Sequence, residues 1–258
     1  MAPNTPGSKV PSHGSNKFGT RYAYDFIQVN WQKLGRPAYR GSLLKYLFRG
    51  IPIDDYYCYG QPIYAPANGL VVRAEDHYPE RKRTSFLGDL LRARNAARHF
   101  DPKRNNVQAV AGNFVILQIH DHVYAALCHL QTDSIQVGRG QTVQAGDLLG
   151  RVGHSGNSFG PHLHFQLMNN SDIEVAAGLP CAFAEYELFA GNSWLTQENA
   201  VPSKTDRICF VSPKSGPFKR VRFFVGRDDR EAVCVNYPSL KYRACDSRCS
   251  TGSSSANA

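Results

Sequence analysis

The stretch "GNSFGPHLHFQL", residues 156–167, sets two histidines two positions apart inside an apolar run that follows a glycine-rich turn. In a strand, residues i and i+2 point to the same face, so His162 and His164 project side by side while Leu163 and Phe165 face a core. Desolvating imidazole is costly unless its nitrogens are satisfied. Backbone carbonyls or a metal can do this, and the pair alone does not decide between them.

Working outward, "NFVILQIH", "HVYAALCHL", "SIQVG", "QTVQAG" and "DLLGRVG" read as further short strands, joined by "GRG", "AGD" and "GHSGNSFG". Short strands with glycine turns and no helices between them argue for a mainly β fold: an antiparallel sheet, sandwich or barrel. Upstream, "RYAYDFIQV" alternates Tyr22, Tyr24 and Phe26 against Ala23 and Asp25, a strand signature. "YGQPIYAPANGLVVRAED" reads as strand, Asn-Gly turn, strand, and so as a hairpin. Residues 80–104 switch to helical spacing, with Phe86, Leu87, Leu90, Leu91, Ala97 and Phe100 as an apolar stripe. One inserted amphipathic helix with a solvated basic face is expected there.

The ends differ in character. Residues 1–19 are rich in Gly, Pro, Ser and Asn and read as an irregular arm. Residues 201–258 form a basic tail carrying Cys209, Cys234, Cys245 and Cys249, with a disordered end expected at "STGSSSANA". The chain of 258 residues is 42% hydrophobic, enough for a substantial core, and its net charge of +9 suggests an anionic partner. That charge is concentrated in residues 80–104 and the tail, and no nucleic-acid partner is expected. The seven cysteines are odd in number and include no C-x-x-C pair, which argues against a secreted disulfide framework. Their spacing in the tail fits no zinc knuckle. "VGRGQTVQAGDLLG" is similar to the hairpins of biotinyl and lipoyl carriers, but neither Met1 nor Met168 has the lysine neighbour such a carrier needs. The polar start has no apolar signal region and no run approaches a membrane span, so the sequence by itself leaves the chain in the cytoplasm.

His129, closing "VYAALCHL", adds a third histidine on a strand of the same sheet. With it the pattern becomes specific. "GNFVILQI…YAALCHLQTDSIQVGRGQTVQAGDLLGRVGHSGNSFGPHLHFQL" resembles the lysostaphin-type zinc endopeptidases, bacterial enzymes that cut peptidoglycan cross-bridges. "YGQPIYAPANGLVV" resembles that family's preceding hairpin, and the likeness runs over residues 59–168. The resemblance implies a barrel-sandwich hybrid (duplicated hybrid motif) within a peptidase domain spanning 20–200. It also implies one Zn²⁺ per chain, a peptide or peptidoglycan substrate, and a place in the cell envelope or outside the cell.

Carried over by position, His164 is similar to a zinc ligand of the family. His162 resembles the neighbouring histidine that acts on the reacting amide, and His129 the second catalytic histidine. The family's other ligands come from an H-x-G-x-D motif just before the hairpin. There this chain has "RGIPIDD": Asp54 falls at the Asp position, but Gly50 stands where the His belongs. "SHGSNKFGTRYAYDF" is the better source, with His13 and Asp25 as the remaining metal ligands at an unusual separation of twelve residues. An apolar-flanked carboxylate such as Asp25 is expensive to bury without a cationic partner, which could be an arginine instead of a metal. The expected function is zinc-dependent endopeptidase activity. The missing local motif motivates the alternative, a non-catalytic scaffold or regulator of cell-wall hydrolases.

Overall fold

Near-continuous apolar runs bury both faces of the central strands, and this places the histidines. The structure is a computed structural model that describes residues 1–85, 88–91 and 107–210 and the backbone of 220–228 and 231–238. Its main sheet joins β1 (Tyr24–Phe26), β4 (Gly69–Glu75), β6 (Asn113–His120), β7 (Val123–Leu130), β8 (Thr142–Val143), β10 (Leu163–Met168) and β11 (Gly178–Leu179). The spatial order is β1-β10-β7-β6-β4-β8, with β11 on β10, and every pairing is antiparallel. The expectation of a mainly β, antiparallel fold is met.

One face of this sheet carries Tyr24, Phe26, Val115, Leu117, Ala125, Leu127, Leu163 and Phe165 into the larger core. The other face carries Phe114, Ile116, Ala126, Cys128 and Met168, closed by Val107 and Ala111 at the short helix Gln108–Ala111. His164 and Gln166 lie between residues of the first set along β10, and so belong to the second face.

Among the described residues, four smaller sheets accompany the main one. β2 (Ile51–Pro52) pairs with β5 (Arg83–Thr84), and β3 (Pro62–Tyr64) with β9 (Leu148–Arg151). β12 (Phe183–Ala190) lies between β13 (Ser193–Ala200) and β14 (Ile208–Cys209). Beyond residue 200, Ile208 and Phe210 are buried in the larger core. Further on, the backbones of β15 (Arg220–Asp228) and β16 (Glu231–Pro238) form a hairpin. Among the described residues no helix is long and apolar enough to cross a membrane.

Three local expectations change. "YGQPIYAPANGLVVRAED" supplies two strands that do not pair with each other. Ala65 hydrogen-bonds Asp147 and Gly146 through its backbone, which carries β3 to β9, while β4 pairs with β6 and β8. "SIQVG" forms no strand. In the segment read as a helix over 80–104, Glu80 bridges to Ser155, Arg83–Thr84 is a strand, and residues 88–91 are helical; the rest of that reading lies outside the described residues.

The amino-terminal arm is packed against the sheet. Asn4 bridges to Asp25, Ala2 is fully buried, and Thr5 Oγ1 donates to Pro202 O at 2.6 Å. An aromatic group anchors the strand behind it: Tyr24 and Phe183 meet at 5.0 Å between ring centroids, and Phe183 and Phe210 at 5.1 Å.

A backbone-on-backbone contact joins the start of β6 to the 153–160 loop. Gly156, at φ +70°, has no room for a Cβ, which would lie 2.3 Å from Gly112 N. Gly156→Ala is therefore expected to cost on the order of 1–3 kcal/mol through the left-handed backbone, before any clash. Thermal unfolding followed by circular dichroism should fall by roughly 2–4 °C per kcal/mol for a chain of this size. An unchanged midpoint would refute the tight contact.

Candidate metal centre

Backbone register brings the first two candidate residues together: Asp25 in β1 sits directly opposite His164 in β10. Asp25 Oδ1 is 2.9 Å from His164 Nδ1 and 3.4 Å from His162 Nε2. Its Oδ2 is 3.0 Å from His13 Nε2 and also accepts from Asn4 Nδ2 at 2.6 Å. Among the described residues, the carboxylate's side-chain partners are three histidines and an asparagine. His13 comes from the arm, where Ser12 N donates to Arg21 O and closes the loop over the following 3-10 turn.

His129 reaches the same place through a backbone irregularity. The β6–β7 register gains one residue in β7 between Leu127 and Leu130, and His129 has φ +62°. In an unbroken strand His129 would point away from the face of Cys128, into the core. The bulge turns it back, at a strain of about 1–3 kcal/mol, so that its ring lies 4.7 Å from His162 and 5.9 Å from His164. All five candidate residues therefore meet, and they line one cleft of about 830 Å³. The ligand atoms form two overlapping trios, His13–Asp25–His164 and His129–His162–His164, each within 4.8 Å.

The hydrogen-bond partners assign the protons. Gln166 Nε2 donates to Phe18 O, so its Oε1 faces His164 Nε2 at 2.9 Å and accepts that nitrogen's proton. Ser12 Oγ donates to Thr20 O and accepts from His13 Nδ1 at 3.0 Å. His129 Nδ1–H donates to Ser155 O at 2.9 Å, and His162 Nδ1–H to Gly160 O at 2.8 Å. Each imidazole thus uses its outer nitrogen as a donor. In the neutral rings the inner nitrogens of His13, His162 and His164 present lone pairs to one carboxylate. Lone pair facing lone pair is repulsive, so this arrangement calls for a cation, either a proton or a metal ion.

The electrostatics follow. Burial alone would push the Asp25 carboxyl up, but the charge of His162 and hydrogen bonds from His13, His162 and His164 hold it well below the usual range. Burial would lower His162, yet the charge and hydrogen bond of Asp25 raise it above the ordinary histidine value. Burial and the neighbouring imidazoles hold His129 well below that value, so it is neutral. Burial also lowers His13, against its hydrogen bond to Asp25.

Asp54 is exposed in a short 3-10 turn, Ile53–Asp55, away from these residues. A separate trio, Asp76, His77 and Asp133, is open to solvent over part of its surface, and Asp76 there accepts backbone N–H bonds from His77, Asp133 and Ile135. His120 and His122 are exposed, and His99 lies outside the described residues. His154 is in a loop but fully buried. Sequence reasoning also passed over Gln166 and Ser12, which orient His164 and His13. The signal for Gln166 was available, since it follows His164 at the same two-residue spacing.

The depressed Asp25 value has a consequence for the metal-free protein. A carboxylate whose folded pKa lies below its unfolded value of about 3.9 stabilises the fold above that pH and loses the contribution as pH falls through the folded value. In denaturant unfolding with chelator present, Asp25→Asn should be less stable than the parent at pH 7 by about 1–3 kcal/mol. The gap should close below about pH 4. A gap that keeps widening below about pH 4 would contradict this network.

Comparison with known proteins finds matches over part of the chain. Residues 102–175 match the model of peptidase family M23. The chain is 38% identical over 74 residues to peptidoglycan DD-endopeptidase ShyB of Vibrio cholerae serotype O1, a span of 28% of this chain and 17% of that protein. It is 35% identical over 89 residues to the glycyl-glycine endopeptidase ALE-1 of Staphylococcus capitis, 34% of this chain and 24% of the relative. The match thus spans less than a quarter of either relative's length. Among solved structures, the catalytic domain of lysostaphin from Staphylococcus simulans is 24% identical, covering 46% of this chain and 68% of that one, at a TM-score of 0.31, too low to support an argument from shape. His13 and Asp25 lie outside the matched segment, whereas the other three candidates lie inside it. Residues 102–175, with His129, His162 and His164 among them, match peptidase family M23, the lysostaphin-type peptidases that the motifs of this chain resemble.

Proposed function

We propose that the chain is a zinc-dependent endopeptidase that hydrolyses peptide bonds in bacterial cell-wall peptides, with one zinc per chain. The observation that carries the reading is the convergence of histidine lone pairs on Asp25. His13 Nε2, the Asp25 carboxylate and His164 Nδ1 would hold the metal. Their contacts of 3.0 and 2.9 Å are close to the roughly 3.3–3.5 Å between neighbouring ligands on a tetrahedral zinc, so small adjustments suffice. Neutral imidazoles and one carboxylate also form a donor set that suits zinc. The match to family M23 and the names of the two relatives support the peptidase class and the wall substrate, which lies in the cell envelope.

Zinc bound there supplies Lewis-acid polarisation of the scissile carbonyl and lowers the pKa of water. The chain's own residues do the rest. His129 is neutral with its proton fixed on Nδ1, so Nε2 is free to accept a proton from the attacking water and later return it to the leaving amine. His162 Nε2, beside the carboxylate, can hold a proton and donate it in a hydrogen bond to the carbonyl oxygen as that oxygen gains charge. The scaffold alternative was motivated by the missing local H-x-G-x-D motif. His13 and Asp25 within hydrogen-bond reach of each other weaken that motive.

Metal analysis and cleavage of purified wall peptides test the reading together. The parent should carry about one zinc per chain, and His13→Ala, Asp25→Ala and His164→Ala should each lose it. Asp54→Ala should keep it. His129→Ala and His162→Ala should retain zinc but lose about 10²–10⁴-fold in turnover. A parent free of zinc, or zinc retained by Asp25→Ala, would overturn the ligand assignment.

A further inference from the structure

We infer that Ser158 and His154, backed by Arg81, are positioning residues that hold His162 as its Nδ1–H tautomer with Nε2 turned toward the centre. The inference rests on the endopeptidase reading, because it is through His162 that these residues would act.

The direction of each hydrogen bond can be followed from one end. The Arg81 guanidinium can only donate, and its Nη2 lies 3.0 Å from His154 Nε2, so that nitrogen is an acceptor. The His154 proton is then on Nδ1, which faces Ser158 Oγ at 3.1 Å. With one of its lone pairs taken, the Ser158 hydroxyl donates to Gly160 O at 2.6 Å. Gly160 O also accepts from His162 Nδ1 at 2.8 Å, and Ser158 Oγ stands 3.1 Å from that same nitrogen. The Ser158 hydroxyl, which also accepts from Gly160 N, thus anchors the Gly160 carbonyl, and that carbonyl, able only to accept, assigns the tautomer of His162.

The arrangement is buried and braced. His154 is fully buried and Ser158 is 3% exposed. Arg81 also donates to Gly156 O at 2.9 Å and Ser158 O at 2.6 Å, so it clamps the loop carrying both residues. Asp89, itself buried, sits 3.5 Å from Arg81 Nη2 and answers its charge. Glu80 accepts the His154 backbone N–H from the other side. A serine needed only to close the 158–160 turn would require its bonds to Gly160 and nothing more. The buried histidine and the arginine behind it are unexplained by a turn.

The test combines kinetics with nitrogen-15 spectra of histidine-labelled protein. Ser158→Ala should lower kcat on wall peptide by about 10–100-fold, as loss of an orienting partner does, with KM within about twofold and zinc content unchanged. His154→Ala should shift in the same direction. Ser158→Thr, which keeps the hydroxyl, should restore most of the rate. In spectra taken at alkaline pH, where the ring is neutral, His162 of the metal-free parent should carry its proton on Nδ1, and Ser158→Ala should give a mixture of tautomers. Unchanged kcat in both alanine variants, an unchanged His162 tautomer, or loss of zinc together with rate that Ser158→Thr does not restore would each overturn the inference. If the parent cleaves nothing, the endopeptidase reading falls, while the spectra still decide the positioning role.

Discussion

The structure around the candidate centre depends on one constraint: each histidine that faces Asp25 has already committed its outer nitrogen to an acceptor. Gln166, Ser12 and the carbonyl of Gly160 take those protons. The inner nitrogens are then left as bases, and three bases cannot share one buried carboxylate without a positive charge among them. Burial sharpens the demand, because a charge withdrawn from bulk solvent must be answered by its immediate neighbours. A group of ordinary structural histidines would show the opposite pattern, with ring protons directed at the carboxylate.

Delivering these groups needs two different properties of strands. Antiparallel register sets Asp25 across from His164 with no freedom to slip, since a one-residue shift would turn both out of the site and bury their apolar neighbours wrongly. His129 needs the reverse: a local break in regularity that moves one side chain from the core face to the site face. Regular pairing supplies the carboxylate and one imidazole, and a strained bulge supplies another.

Much of the fold was readable because β6, β7 and β10 are apolar runs bounded by turn residues, each long enough to stand out as a buried strand. The shorter pieces were not. "PIY" and "GLVVRAE" look like hairpin partners in sequence, yet what each pairs with is decided by distant segments that no local pattern reveals. The same holds at the site. His162 and His164 announce themselves by spacing, and His129 by its motif. His13 and Asp25 could be nominated only by elimination, because their meeting depends on how an apparently irregular arm folds back. His154 escaped for a related reason: a histidine in a glycine-rich loop looks solvated until the loop is seen to pack against Glu80 and Arg81.

The docked arm also bears on how the molecule can be divided. The segment that matches family M23 contains His129, His162 and His164 but neither His13 nor Asp25. The arm that carries His13 is held to the rest of the fold by the bridge at Asn4, the Ser12 loop, the contact of Thr5 with Pro202 and the bond of His13 itself to Asp25. Arm docking and cation binding are therefore two halves of one equilibrium, since whatever binds between His13 and Asp25 also holds the arm down. A fragment cut to the boundaries of the recognisable homology would keep the histidines that face the substrate and leave behind the carboxylate around which they are organised.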